Sequence, residues 1–294
     1  MTRMIEVNIV NAFVASDDGG NPAGVVLDAD ALSAAQKLAI AGKVGLSETA
    51  FVSRSQQSDF KLDFFTPTRQ IAHCGHATIA VFSYLASLGK ITKPQSSKET
   101  IDGTRAIVLS GGMAFMEQKA PRYQELGEPV GVADVMKSLG LTLSDVHEQI
   151  APVVVNTGNS FMLVPLRDEK TLASLTPDMP AISEISDRLD LIGYYAFTVE
   201  TKQASSDAAA RMFAPRYGIP EESATGMAAG PLACLLYDRM NVKKSEIVIE
   251  QGYLMQPPSP STLFARLDVA DGAIRSLLVG GRALASRTIQ VELD

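Results

Sequence analysis

The segment from Phe64 to Leu88 begins at the end of a stretch in which apolar residues alternate (Phe60, Leu62 and Phe64), turns at Thr66-Pro67, and continues as a run that is apolar on nearly every side. The alternation predicts a β-strand and the continuous run predicts a helix. Because a helix without a polar face is buried, this helix is expected in a core. Its first turn carries Cys74, Gly75 and His76, so a thiol and an imidazole lie where free amides and the helix dipole favour an anion.

The same arrangement occurs again between Arg211 and Tyr237. Phe213-Ala214-Pro215 corresponds to Phe65-Thr66-Pro67, and Thr225-Gly226-Met227-Ala228 corresponds to Cys74-Gly75-His76-Ala77. An apolar helix follows in both copies. We interpret this as a duplication that produced two similar domains, each containing a strand, a turn and a buried helix. The alternative is that short aromatic-proline motifs and small-residue helices recur by chance.

Elsewhere the pattern is mainly that of strands, of which the first is expected at a sheet edge. Strands are predicted over residues 4–14, 23–27, 59–65, 101–109, 113–118, 152–155, 161–165, 194–200, 208–213, 246–251, 263–269, 273–279 and 283–291. Further helices are predicted over residues 33–44, 130–139, 169–175 and 180–190. The polar segment 94–100 is interpreted as a surface loop and 121–129 as a linker.

Many strands with one central helix in each half indicate an α+β protein. We therefore expect an N-terminal domain over residues 1–120 and a C-terminal domain over 121–294, with a last strand that can return to the first domain.

Composition narrows the function classes. The 294 residues are 46% hydrophobic and 20% charged, with a net charge of −7, which argues against a nucleic-acid partner. The N-terminus lacks the apolar core of a signal peptide, and no apolar run reaches membrane-spanning length. The two cysteines, Cys74 and Cys234, lie in different copies of the repeat, so we expect no disulfide and a cytoplasmic location. Neither HExxH nor paired CxxC occurs, so no metal site is expected.

Several side chains are candidates for proton transfer. Enzymes that move protons without a cofactor need acid/base side chains beside an activated C–H bond. Glu48, at a turn before an apolar strand, is either a solvated surface residue or a general base. Cys74 is either a small buried hydrophobe or a thiolate activated by the helix dipole. His76 and the pair Glu221-Glu222 are further candidates, whereas Cys234 is expected to pack in a core.

Four segments carry a family resemblance. GNPAGVVL, GLSETAFV, FFTPTRQIAHCGHATIA and RMFAPRYGIPEESATGMAAGPLACLL resemble the phenazine-biosynthesis PhzF family, in the family's order and over most of the chain. That family shares the diaminopimelate-epimerase-like fold. The resemblance implies two pseudo-symmetric domains, each with a curved β-sheet around a central helix, and an active site in the cleft between them. It also implies a homodimer and an isomerase that needs no cofactor.

The resemblance also implies roles for single residues. The family's catalytic glutamate matches Glu48 and its histidine matches His76, while its aspartate falls on Glu222 and a serine on Met227. The last two are departures: one lengthens the carboxylate by a methylene and the other removes a hydroxyl. The residues expected to be catalytic are Glu48, His76 and Glu222, and those expected to contact the substrate are Asn21, Ser47, Cys74, Gly75, Gly226 and Met227.

Further departures concern the substrate more than the chemistry. Arg69-Gln70 stands where many members have an acidic residue, and His73 where an apolar residue is usual. We therefore expect a proton-moving isomerase that acts on a small acidic metabolite. Neither nucleic acid nor membrane is expected as a partner.

Two alternatives stay open at this point. One is a two-base racemase or epimerase that uses Cys74, although the second copy offers Thr225-Gly226-Met227 without a thiol. The other is a ligand- or protein-binding module that kept the fold and lost activity.

Overall fold

The structure, a computed structural model, describes residues 3–293. The chain divides into two compact units. The first contains the chain up to Glu117 together with the residues from Gly280 onwards, and the second runs from Gln118 to Val279. The division thus falls close to residue 120, and the C-terminal strand lies with the N-terminal half of the chain.

The elements alternate between strands and a few helices in both halves of the chain. The first half contains β1 (Arg3–Ala12), β2 (Asn21–Val26), α1 (Ala34–Val44), β3 (Thr49–Ser53), β4 (Phe60–Phe65), β5 (Gln70–Ile71), α2 (Gly75–Ser87), β6 (Gln95–Thr100), β7 (Gly103–Ser110), β8 (Met113–Lys119) and β9 (Arg122–Glu125). The second half contains α3 (Val132–Ser138), β10 (Val153–Asn156), β11 (Ser160–Pro165), α4 (Glu169–Ala173), α5 (Met179–Arg188), β12 (Gly193–Thr198), β13 (Ala208–Ala214), β14 (Ile219–Glu222), α6 (Gly226–Arg239), β15 (Glu246–Gln251), β16 (Ser261–Ala270), β17 (Ala273–Gly281) and β18 (Ala283–Leu293). Short 3-10 turns cover Ala29–Ala31, Leu143–Asp145 and Pro215–Tyr217.

The two units repeat one pattern of strand pairing. In the first unit β1 and β2 are antiparallel, β2 and β3 parallel, β3 and β4 antiparallel, β4 and β6 parallel, and β6 and β7 antiparallel. In the second unit β10, β11, β12, β13, β15 and β16 follow the same sequence of orientations. In each unit the central helix directly precedes the strand that pairs in parallel across it. The pairing therefore supports the duplication inferred from the sequence.

The final strand of each copy is exchanged. β9, at the end of the first copy, pairs with β10, and β18, at the end of the second copy, pairs with β1. The long register of β1 with β18, from Arg3↔Leu293 to Ala12↔Ala283, explains why the C-terminal residues belong to the first unit.

Each unit is built around one buried helix. In α2, ten of the 13 residues are buried, and the helix packs on β1, β2, β3 and β18. Ile79, Val81 and Phe82 are at most 1% exposed. Fully burying a side chain of this size contributes about 1.5–3 kcal/mol. In α6, ten of the 14 residues are buried and the helix packs on β10, β11 and β16, so the prediction of two buried helices is confirmed.

Three local predictions are wrong. Residues 94–100 are not a surface loop but contain β6, because Ser96, Lys98 and Thr100 are buried polar residues that point inward on alternate positions. The segment 121–129 is not a plain linker, since it contains β9. The first strand is not at an edge, because β1 has a hydrogen-bonded neighbour on both sides. In each case tertiary pairing overrides a local polar or terminal signal.

Among residues 3–293, no helix is both long enough and apolar enough to span a bilayer.

Candidate active site

The carboxylate of Glu48 is positioned by the end of α1 and the start of β3. Ser33 caps the N-terminus of α1 in a capping box with Gln36, and Gly45 ends the helix at a φ of 69°, in the left-handed region that glycine tolerates. Glu48 follows after a short turn, and its carbonyl accepts a hydrogen bond of 3.0 Å from the N–H of Gly24 in β2. The side chain is only 12% exposed. It is therefore held at the mouth of β3 and is not a freely solvated glutamate.

The second part of the site is the start of α2. Cys74 is the N-cap, with an extended backbone and no side-chain capping bond, and His76 lies in the first turn. His76 Nε2 lies 3.3 Å from Glu48 Oε2, and its Nδ1 lies 3.6 Å from Cys74 Sγ. The imidazole thus stands between a carboxylate and a thiol, and all three side chains are largely buried.

One histidine tautomer serves both contacts. With the proton on Nε2, the ring turns its N–H side towards Glu48 Oε2 at 3.3 Å, an electrostatic contact that lacks hydrogen-bond geometry, and its Nδ1 can accept a hydrogen bond from the thiol of Cys74. This arrangement can hold the carboxylate of Glu48 in a fixed orientation. A carboxylate that is fixed and mostly screened from water can remove a proton from a substrate carbon and return it.

Cys74 has the character of a thiol and not of a thiolate. Burial raises the pKa of the Cys74 thiol, against a smaller opposing effect of His76, and Glu48 raises it further. Of the two interpretations of Cys74, this direction favours the small buried thiol over the activated thiolate, because desolvation of the sulfur is the largest effect on its pKa. Cys234 is fully buried within α6, and burial raises its pKa to about 12, as expected for a core cysteine.

The same three side chains form a possible set of metal ligands. In the part of the chain that the structure describes, Glu48, Cys74 and His76 are the one cluster whose ligand atoms lie within 4.8 Å of one another. However, Cys74 contacts Nδ1 and Glu48 contacts Nε2, on opposite sides of the ring. A histidine ligates one ion through one nitrogen, so the ring would have to turn before a single ion could bind all three. The arrangement fits proton transfer better than metal binding.

The remaining predicted residues of the first unit lie on the same elements. Gly75 is the buried first residue of α2, and Asn21 is the buried first residue of β2. Ser47 is exposed in the turn directly before Glu48. Asn21 thus lies three residues before Gly24 in β2, and Ser47 lies directly before Glu48, whose carbonyl accepts the hydrogen bond from Gly24. Gly75 lies at the start of α2.

In the second unit, Glu222 ends β14 and is joined to the start of α6. The hydroxyl of Thr225 donates a 2.5 Å hydrogen bond to Glu222 Oε2. Gly226 is the first residue of α6, and its carbonyl accepts a 2.9 Å hydrogen bond from Gln118 Nε2. Met227 follows, half-buried, and its sulfur accepts a 3.4 Å hydrogen bond from the amide of Asn159. Glu222, Gly226 and Met227 are thus brought to one helix start.

A further residue, which no sequence motif predicts, organises this helix start. Gln251, 1% exposed at the end of β15, accepts hydrogen bonds from the N–H of Thr225 (3.0 Å) and the hydroxyl of Tyr195 (2.8 Å). Its amide group donates to the carbonyl of Glu222 at 2.6 Å and to the hydroxyl of Thr225 at 3.3 Å. Its only sequence signal is an uncharged polar residue that ends the apolar strand Glu246–Gln251.

Comparison with known proteins identifies the family. A family model described as PhzC-PhzF, phenazine biosynthesis-like protein, matches residues 10–288. The chain belongs to the PhzC-PhzF family. The uncharacterized isomerase YddE of Escherichia coli O157:H7 is 35% identical over 238 residues, which cover 79% of this chain and 78% of that protein. The trans-2,3-dihydro-3-hydroxyanthranilate isomerase of Pseudomonas chlororaphis is 32% identical over 284 residues, 94% of this chain and 95% of its own. These relatives place this PhzC-PhzF member among the isomerases.

Solved structures agree on the fold. The PhzF-family phenazine biosynthesis protein of Bacillus anthracis superimposes with a TM-score of 0.89 at 24% identity, covering 98% of this chain and 99% of its own. A hydroxyproline epimerase from Agrobacterium vitis superimposes with a TM-score of 0.60 at 16% identity, covering 99% and 93%. The predicted epimerase-like α+β fold with two pseudo-symmetric domains is confirmed.

Proposed function

We propose that this PhzC-PhzF member is a cofactor-independent isomerase that moves a proton on a small carboxylate-bearing substrate, with Glu48 as the general acid and base. The observation that carries the proposal is the carboxylate of Glu48, 12% exposed and held 3.3 Å from His76 at the start of a buried helix. A single carboxylate suffices when the proton is removed from one carbon and returned to another, because the same group alternates between base and acid.

The other residues have supporting roles in this proposal. His76 orients the carboxylate of Glu48 and can donate to negative charge that develops on the substrate. Amides at the starts of α2 and α6, including those of Gly75 and Gly226, are the proposed donors to the substrate carboxylate. Glu222, joined to Thr225 at the start of α6, is the third residue proposed to be catalytic, beside Glu48 and His76. The substrate would lie in the interdomain cleft that the family resemblance implies, in a homodimeric protein.

Two residues that differ from the family's pattern narrow the proposed substrate class. The relative from Pseudomonas chlororaphis is named for trans-2,3-dihydro-3-hydroxyanthranilate. In this chain, Met227 replaces the family's serine, and Glu222 carries a longer carboxylate than the family's aspartate. We therefore propose a different small carboxylate compound, with a less polar group near Met227.

A two-base racemase that uses Cys74 is the weaker candidate. The 3.6 Å contact between Cys74 Sγ and His76 Nδ1 favours it, since the imidazole could accept the thiol proton. Against it stand the raised pKa of the Cys74 thiol and the lack of a second thiol in Thr225-Gly226-Met227. We expect replacement of Cys74 by alanine to leave proton exchange largely intact.

Deuterium uptake from heavy water tests the proposal on many candidate substrates at once. Purified protein would be incubated in heavy water with pooled small acidic metabolites, including trans-2,3-dihydro-3-hydroxyanthranilate, and mass spectrometry would detect labelled or converted compounds. The variants are Glu48→Gln and, as a matched control, Glu148→Gln, which changes an exposed glutamate. Labelling by wild type and Glu148→Gln, but not by Glu48→Gln, is the expected result. An active Glu48→Gln enzyme would refute the mechanism, and binding without any labelling would favour a binding module.

A further inference from the structure

Lys98 is a buried cation that the proposed mechanism does not use. It lies in β6 with no exposed surface, between Phe60 of β4 and Arg105 of β7 in the strand register. Its Nζ donates a 2.7 Å hydrogen bond to Thr78 Oγ1 and lies 3.1 Å from His73 Nδ1. Among the residues described by the structure, no carboxylate forms an ion pair with Lys98. Burying a charged lysine costs free energy unless neighbouring groups stabilise the charge.

The surroundings of Lys98 accommodate an ammonium group with three donors. Burial lowers the pKa of His73 to about 3, so this imidazole is neutral and its Nδ1 can accept a hydrogen bond from Lys98. Thr78 supplies the second acceptor, and the ring of Phe64 lies with its centroid 5.1 Å from Nζ. Two acceptors and an aromatic face together hold a buried cation without a carboxylate.

The hydrogen bonds continue from Lys98 to the proposed active site. Because Thr78 accepts from Lys98, its hydroxyl proton is directed to the Cys74 carbonyl, 2.6 Å away. The peptide unit is planar and trans, so the carbonyl of Cys74 and the N–H of Gly75 point in opposite directions. Holding the carbonyl therefore fixes the direction of the Gly75 N–H and the position of the turn that carries His76.

We propose that Lys98 is a positioning residue for this site, which acts through Thr78 on the Cys74–Gly75 peptide and so fixes Cys74 and His76 at the start of α2. The inference rests on the proposed function for its catalytic meaning, since the chemistry is assigned to Glu48 and its neighbours. The coupling from Lys98 to the peptide stands on the contacts alone.

The coupling has a dependence on pH. Burial lowers the pKa of Lys98 from its ordinary value to about 7, with Arg105 lowering it and Cys74 and Asp102 raising it. The groups that face Lys98 are Arg105, Asp102, His73 and Cys74, while β4 contributes the Phe64 ring. As an amine, Lys98 can accept the single proton of Thr78 and compete with the Cys74 carbonyl for it. Loss of the Lys98 proton therefore weakens the hold on the peptide.

One peptide resonance reports this coupling directly. Cys74-Gly75 is the only cysteine–glycine pair in the sequence, because Cys234 is followed by Leu235. Protein labelled with ¹³C at the cysteine carbonyl and ¹⁵N at glycine therefore gives a single carbonyl–amide cross-peak in an HNCO spectrum. A lysine ¹³Cε titration, assigned by the loss of one signal in Lys98→Met, measures the protonation of Lys98 in the same protein.

Matched variants separate the hydrogen-bond chain from general effects of packing. Thr78→Val keeps the shape of the side chain and removes the hydroxyl, whereas Thr78→Ser keeps the hydroxyl. We expect Thr78→Val and Lys98→Met to displace the Cys74–Gly75 cross-peak in the same direction, the double variant to add nothing further, and Thr78→Ser to resemble wild type. Over the pH range in which the Lys98 ¹³Cε signal titrates, the Cys74–Gly75 cross-peak should shift with the same midpoint in wild type and Thr78→Ser. In Thr78→Val it should not shift with that midpoint.

The inference would be overturned by a Lys98→Met cross-peak that coincides with that of wild type, or by a titration with the Lys98 midpoint that survives in Thr78→Val. With a substrate from the heavy-water screen, Lys98→Met and Thr78→Val should lower kcat about tenfold with little change in KM, the effect of one charged hydrogen bond. Unchanged kcat in both would also overturn it. Failure of the proposed function is separate, since an active Glu48→Gln enzyme would leave the NMR coupling as it is.

Discussion

Gln251 gives the sharpest test of how the second unit holds its helix start. Replacing Gln251 by leucine, a side chain of similar size, removes a buried amide that makes four hydrogen bonds. Three buried groups lose this partner: the hydroxyl of Tyr195, the N–H of Thr225 and the carbonyl of Glu222. Each unsatisfied group costs about 1–3 kcal/mol, so with partial relaxation we expect a total of about 4 kcal/mol.

That loss is a large part of the stability of an ordinary domain, which is about 5–15 kcal/mol. With a urea dependence of about 3 kcal/mol/M, the unfolding midpoint should fall by about 1 M or more. The assay is urea unfolding followed by circular dichroism, together with hydrogen exchange of the Thr225 amide. Exchange at Thr225 should accelerate more than exchange within α6, because the N–H of Thr225 loses its acceptor.

A double-mutant cycle with Tyr195 controls for the change of shape. Tyr195→Phe removes only a hydroxyl and should cost about 1 kcal/mol in wild type. In the Gln251→Leu background it should cost less or be stabilising, because it removes a hydroxyl that has already lost its acceptor. A Gln251→Leu cost below about 1 kcal/mol, or strictly additive effects, would refute the assigned hydrogen-bond arrangement.

Three further predictions concern stability. Between about pH 7 and 10, Lys98 is protonated in the unfolded state and neutral in the folded state, so the stability of wild type should rise with pH relative to that of Lys98→Met. A difference in stability between the two proteins that stays constant from about pH 6 to 9 would contradict the lowered pKa of Lys98. Arg211 is paired with Glu221 through two hydrogen bonds of 2.8 and 2.9 Å, so Glu221→Gln leaves its guanidinium without a charge partner and should lower the free energy of unfolding in urea by about 3 kcal/mol. A cost below about 1 kcal/mol, which is typical of surface ion pairs, would contradict this expectation. Gly193→Ala puts a Cβ 2.3 Å from the carbonyl oxygen of Phe213 and should lower stability by about 1–3 kcal/mol, whereas Gly127→Ala, whose Cβ meets nothing within 4 Å, should be neutral. Equal urea-unfolding midpoints for the two variants would contradict the packing around Gly193.

The two central helices could be predicted because their signal is local. A run of apolar residues after a turn is sufficient to predict burial, and its recurrence in the second half predicts the duplication. The position of Glu48 at the mouth of a strand could also be predicted, since a capping box and a terminal glycine bound the preceding helix. The exchange of final strands could not, because it depends on pairing between residues at opposite ends of the chain, Arg3 and Leu293.

The supporting residues of the site were missed for a related reason. Lys98 lies in a polar segment that resembles a surface loop, and it is buried only because Thr78 and His73, distant in sequence, accept its hydrogen bonds. Gln251 is likewise defined by its partners and not by its neighbours in the chain. Local patterns carry information on periodicity and capping, whereas the cost of burying a polar group is offset by tertiary contacts that no local pattern records.

The most direct test of the central claim is the rate of deuterium incorporation into a substrate by wild type, Glu48→Gln and Cys74→Ala under identical conditions. General acid/base catalysis contributes about 10²–10⁴-fold, so Glu48→Gln should lose at least about a hundredfold, while Cys74→Ala should stay within about tenfold of wild type. Unfolding midpoints of all three proteins would ensure that folded enzymes are compared. A Glu48→Gln enzyme that exchanges at the wild-type rate, or a Cys74→Ala enzyme that is inactive while Glu48→Gln is active, would contradict the assignment of Glu48 as the proton-transferring group.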